Sequence, residues 1–121
     1  VSTFSKELLS GSTGGRLIKV AATSTPGTTV HATGTSSTIV DEVWLYAVNS
    51  DSTDRKLTIE FGGTSAPDDL IEFTVTAESG LYLIIPGLVL TGDGSSARTI
   101  TAFAAATNVI NIGGYVNRIT P

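Results

Sequence analysis

The sequence contains no cysteine and a single histidine, His31. No disulfide can form, and the thiolate and paired-histidine zinc sites have no ligands to draw on. The absence of cysteine is neutral about redox compartment. Charge is scarce as well: Asp, Glu, Lys and Arg make up 15% of the chain, against the usual quarter. The seven basic side chains (Lys6, Arg16, Lys19, Arg55, Lys56, Arg98 and Arg118) are scattered along a chain of net charge −4. A protein that holds a phosphate backbone needs a concentrated basic patch, so nucleic acid is not an expected partner. Long apolar runs are missing too. The longest, Leu81 to Leu90, is broken by Pro86-Gly87 and is too short to span a bilayer. No basic start followed by an apolar run stands at the N-terminus, and a membrane is not an expected partner.

What the chain has instead is hydroxyl and glycine: 19 Thr, 13 Ser and 13 Gly in 121 residues. Thr favours strands because its branched Cβ fits a pleated sheet. Ser and Gly favour the turns between strands. The length fits one domain. Area scaling gives roughly 6,000 Å² of folded surface against about 18,000 Å² unfolded, enough burial for one core without a staple.

Residues 1–15 read as a flexible N-terminal arm, with apolar Phe4, Leu8 and Leu9 ahead of the Gly-rich run Ser10 to Gly15. Residues 16–121 read as a single β-sandwich domain. Strand signals cover Leu17 to Ala22, Thr28 to Ala32, Ile39 to Asn49, Lys56 to Phe61, Leu70 to Thr76, Leu81 to Ile85, Leu88 to Leu90, Thr99 to Ala104 and Val109 to Ile119. Turn residues separate them, and Gly113-Gly114 marks a bulge or kink. The spacing predicts an all-β fold, a β-sandwich or jelly roll of about eight strands with an extended N-terminal arm.

Two strands alternate cleanly. Leu57, Ile59 and Phe61 oppose Lys56, Thr58 and Glu60; Ile71, Phe73 and Val75 oppose Glu72, Thr74 and Thr76. This is the pattern of one dry face and one wet face. Two other segments do not alternate. Val43 to Val48 is apolar on both faces, as is Leu81 to Leu90. A two-layer sandwich covers one face of each strand, so a second element must cover the other. The expected contact residues are Phe4, Leu8, Leu9, Leu45, Tyr46, Tyr82 and Leu88, and self-association as a dimer or trimer is expected.

Catalytic constellations are sparse. His31 would have to serve any Ser–His–Asp site, and no G-x-S-x-G elbow accompanies it. A structural or exposed His31 is expected. Asp51-Ser52-Thr53-Asp54 and Asp68-Asp69 read as Asx turn chemistry, not as calcium ligands. Glu60 and Glu72 fit a solvated face better than a hydrolytic pair. The segment Gly11 to Gly15 lacks the Gly-Lys-Ser/Thr of a phosphate loop. Trp44, Tyr46, Tyr82 and Tyr115 are the candidates for a sugar-stacking platform, against which stands the position of Trp44 among aliphatic residues. No cofactor, metal site or enzymatic activity is expected.

The strings Glu60-Phe61-Gly62-Gly63-Thr64, Pro67-Asp68-Asp69, Ile85-Pro86-Gly87-Leu88 and Asn111 to Ile119 resemble small virion proteins of tailed bacteriophages, in particular capsid cement or decoration proteins. The similarity spans roughly residues 40–119. The resemblance implies a β-rich structural protein on the virion surface that binds the major capsid protein, with no catalytic residues. A carbohydrate-binding or adhesin-type sandwich, or a tail or neck protein, fits the same composition.

Overall fold

The computed structural model describes all 121 residues. It contains no helix and nine strands: β1 (Thr3–Leu8), β2 (Ile18–Lys19), β3 (Thr28–Ala32), β4 (Val40–Asn49), β5 (Arg55–Phe61), β6 (Leu70–Val75), β7 (Tyr82–Leu90), β8 (Thr99–Ala104) and β9 (Ile110–Thr120). They form two antiparallel sheets, a β-sandwich. The first, sheet A, runs β1-β9-β4-β7, with β2 also on β9; the second, sheet B, runs β3-β8-β5-β6. The folded chain exposes 6166 Å², close to the area expected for its length.

β4 shows how the sequence builds the core. Val43, Leu45 and Ala47 are fully buried between the sheets, while Trp44, Tyr46 and Val48 on the opposite face are half-buried. The inner face meets Ile112 and Val116 of β9, Ile85 of β7, and Leu57, Ile59, Ile100 and Ala102 of sheet B in one apolar cluster. The same inner face is polar at both ends. Asp41 bonds His31 of β3, and the Asn49 amide donates to the carbonyl of Val75 in β6. Both bonds cross from one sheet to the other, so the apolar middle of the sandwich is closed at each end of β4 by a polar tie.

The segment 1–15, expected as a flexible arm, is part of the sandwich. β1 pairs along the outer edge of β9 from Thr3↔Thr120 to Leu8↔Tyr115, and β2 takes the same edge further on, at Ile18↔Ile112. Between them the chain leaves sheet A and reaches sheet B. The Gly11 amide donates to the Val30 carbonyl, the Ser10 Oγ accepts from the Ala32 amide, and Leu9 is buried in the core. The open backbone edge of β9 supplies the reason: its unpaired donors and acceptors template a strand. The domain therefore begins near Thr3, not at residue 16.

Two further expectations change. Pro86-Gly87 does not divide two strands. β7 runs through it, with register shifts opposite Val43/Trp44 and Leu45/Tyr46. β7 is the edge strand of sheet A, where proline costs no ladder bond. Gly113-Gly114, expected as a bulge or kink, forms no bulge against β4, with which β9 pairs in continuous register from Ile110 to Ile119. Gly114 sits at φ +144°, and a Cβ there would collide with the Trp44 carbonyl oxygen. Glycine is what lets the two backbones approach.

Candidate functional site

The feature that stands out is the outer face of sheet A. Across the sheet, Phe4 and Leu8 of β1 lie opposite Ile119 and Tyr115 of β9. Tyr115 lies opposite Trp44 of β4, and Gly113 opposite Tyr46. Trp44 and Tyr46 in turn lie opposite Pro86 and Leu83 of β7, and Val89 opposite Glu42. Because the alternate residues of β4 point into the core, all of these share the solvent side. Phe4 is 68% exposed, Leu8 58%, Leu83 45% and Val89 58%. A largely apolar surface, interrupted by Lys6, Glu42 and Asn117, thus runs across four strands, with Leu17 just ahead of β2 packed over it at Gly113.

Its middle is ordered by specific contacts. The rings of Trp44 and Tyr115 are near parallel, at 15°, with centroids 6.3 Å apart. Lys6 Nζ lies 4.5 Å from the Tyr115 ring centroid, a favourable cation–π arrangement. Trp44 Nε1 donates to Glu42 Oε1 at 2.8 Å, and Asn117 Nδ2 donates to the same oxygen at 3.0 Å. These two bonds hold the Glu42 carboxyl below the usual carboxylate range. The benzene ring of Trp44 extends towards Gly87, where a Cβ would sit 3.0 Å from it. Glycine at the β7 bulge therefore makes room for the indole to lie along the sheet.

The candidate contact residues fall into three groups. Phe4, Leu8 and Tyr46 lie on this face. Leu88 is exposed on the edge strand β7, and half-buried Tyr82 lies opposite Ala47 and packs against Phe73 with centroids 5.9 Å apart. Leu9 and Leu45 are core residues, 2% and 0% exposed, and are withdrawn from any surface role. Trp44, Leu83 and Val89 belong to the doubly apolar segments expected to need cover, and they lie on this face with Tyr46. Tyr115, expected only as a candidate for a sugar-stacking platform, joins them from β9, and the bulges in β7 are what hide the phase of Leu83 and Val89 in the sequence.

His31 is 1% exposed and has both ring nitrogens engaged. Nδ1 accepts from the Ser10 amide at 3.0 Å, and Nε2 donates to Asp41 Oδ2 at 2.8 Å. Asp41 also receives Arg118 Nε at 2.8 Å and its terminal nitrogen at 3.0 Å. Burial raises the Asp41 pKa, but the bonds from Arg118 and His31, with the charge of Arg118, outweigh it and hold the carboxyl below its ordinary range. The nitrogen that would serve a serine hydroxyl as base is taken by a backbone N–H. Chemically, the group is a tie between sheets.

Glu60 departs from its expected wet face. The segment from Ala22 to Thr28 crosses over sheet B, and Glu60 is fully buried beneath it. Its carboxylate accepts from Thr25 Oγ1 at 2.6 Å, Thr101 Oγ1 at 2.6 Å and the Gly27 amide at 2.8 Å. Burial pushes its pKa up, and these three donors more than reverse the effect. Glu72 does lie in solvent, paired with Lys56 at 2.8 Å. No group of three or more His, Asp or Glu is placed to hold a metal.

Comparison with models of known protein families found no match, and comparison with curated protein sequences found none.

Proposed function

We propose that this chain is a structural virion protein, a capsid cement or decoration protein of the tailed-phage kind, which docks on the major capsid protein through the outer face of sheet A. The observation that carries the reading is the apolar surface from Phe4 and Leu8 to Leu83 and Val89. Four strands about 4.8 Å apart and about eight residues long present on the order of 500 Å² in projection, and more as accessible area. That approaches the roughly 800 Å² per partner of a stable interface. A β-ladder fixes the backbone that carries these side chains, so main-chain ordering costs little on contact and the entropy lost is that of the side chains alone. Bridging neighbouring capsomers with such a face adds buried area where internal pressure pulls them apart. The same surface accommodates self-association into a dimer or trimer.

The test is co-sedimentation with capsids of the phage that encodes the chain. Wild type is expected to bind stoichiometrically. Tyr46→Glu, on the outer face, is expected to abolish binding while the circular dichroism spectrum is unchanged. A wild type that stays monomeric at high concentration, together with a Tyr46→Glu protein that binds capsids normally, would sink the reading. One observation favours a second reading, a carbohydrate-binding module. The near-parallel Trp44 and Tyr115 rings, flanked by Glu42, Asn117 and Lys6, resemble a stacking platform with polar edges. Quenching of Trp44 fluorescence by oligosaccharides, lost in Trp44→Ala, distinguishes it.

A further inference from the structure

Five of the seven basic side chains have partners within the chain. Arg55 pairs with Asp51, Lys56 with Glu72 and Arg118 with Asp41. Arg98 donates to the carbonyls of Thr91 and Gly92, and Lys6 lies over Tyr115. Arg16 and Lys19 have no ion-pair, hydrogen-bond or aromatic partner. These two unpartnered cations line the same open cleft, of about 280 Å³, together with Ser12 and Thr13. No carboxylate lines it.

The cleft is held in shape by bonds that leave its donors free. The Gly11 amide is fixed to the Val30 carbonyl, and the Arg16 amide to the Thr13 carbonyl. Ser12 Oγ donates to the Leu9 carbonyl at 2.7 Å and accepts from the Gly15 amide at 3.3 Å, so it braces the turn. The Thr13 hydroxyl makes no hydrogen bond in the chain. On the other wall, β2 is pinned to β9 at Ile18↔Ile112 and Lys19↔Asn111. In a chain of net charge −4, two uncompensated cations beside a free hydroxyl on a braced loop are a local inversion of sign.

We propose that this cleft is a binding site for a tetrahedral dianion, a phosphate or sulfate group, with Arg16 and Lys19 supplying the charge and Thr13 a hydroxyl donor. A dianion matches the two positive charges, and a guanidinium fork suits two oxygens of a tetrahedral group. The cleft adjoins the outer face of sheet A, since Leu17 packs at Gly113 opposite Tyr46 and Lys19 pairs with Asn111 opposite Val48, but its anion chemistry does not rest on the docking reading.

The experiment is a titration of amide chemical shifts with inorganic sulfate and inorganic phosphate, with chloride and acetate controls at equal ionic strength. Saturable shifts are expected for Gly11 to Lys19 with sulfate and phosphate only. Arg16→Gln and Lys19→Gln should each weaken binding about tenfold or more, the scale of one charge-assisted hydrogen bond. Both side chains are exposed, and unchanged melting temperatures would show that the variants fold. A sulfated oligosaccharide separates the two sources of such a group: tighter binding than sulfate identifies a polymer-borne ester, equal binding a free ion. Shifts of equal size with chloride, no saturation, or unchanged affinity in the double variant would overturn the proposal.

Discussion

Replacing Glu60 tests whether the buried carboxylate fastens the crossing segment to sheet B. In Glu60→Ala three charge-assisted bonds are lost, from Thr25, Thr101 and the Gly27 amide. Each is worth about 1.5–3 kcal/mol. Against this, the cost of burying a carboxylate with no cation beside it, several kcal/mol, is removed. Thr25 is exposed and turns to water, whereas Thr101 and Gly27 are less free to do so. The net expected loss is about 2–4 kcal/mol, a substantial part of the roughly 6–18 kcal/mol typical of a chain this long. Glu60→Gln keeps the length and one acceptor oxygen, and should lose less, about 1–2 kcal/mol. The sign of the pH dependence follows from the lowered pKa. The stabilisation is present above the ordinary glutamate value, about pH 4.3, and is lost as pH falls through the folded value. Glu60→Gln should flatten this part of the profile. Urea unfolding followed by circular dichroism from pH 3 to 7 measures both, and hydrogen exchange at Gly27 reports the tether directly. A Glu60→Ala protein within about 0.5 kcal/mol of wild type, with Gly27 equally protected, would refute the reasoning.

Asp41→Asn should destabilise by about 2–4 kcal/mol at neutral pH, because an amide NH₂ then faces donors from His31 and Arg118. The figure is discounted for the partly exposed Arg118. The deficit should begin to shrink below the ordinary aspartate value, about pH 3.9, and vanish as pH falls through the lowered folded value, where the wild-type carboxyl itself protonates; urea midpoints at several pH values read it. Gly114→Ala should cost about 3 kcal/mol or more, since the obstructing atom belongs to the Trp44 backbone and cannot rotate away; thermal melting checks this. Deleting residues 1–8 should leave a folded domain with a small loss, because Phe4 and Leu8 are exposed. Deleting residues 1–15 should cost about 2–5 kcal/mol more, through buried Leu9 and the Ser10 bond to His31, and comparison of the two unfolding curves separates the contributions.

Local pattern carried much of the architecture. The alternation of Leu57, Ile59 and Phe61 and of Val43, Leu45 and Ala47 is a property of adjacent residues, because successive side chains on a strand point to opposite faces. Turn residues at near-regular intervals marked most of the strand ends, so the all-β class and the single core were legible in the amino-acid order. The candidate site was legible only in part. The double apolarity of Val43 to Val48 announced a second surface, yet it did not say which face would be core. The tertiary structure decided that, and it decided everything that depends on distant partners. Glu60 looks solvated until the segment from Ala22 to Thr28 lies over it, and Asp41 meets Arg118 only because β4 and β9 pair. Phe4 and Leu8 join Trp44 on one surface only because β1 completes an edge at the far end of the chain. The period of a strand is set by covalent geometry within two or three residues. Which of its faces is covered, and by what, is set by contacts that the chain makes only once it has folded.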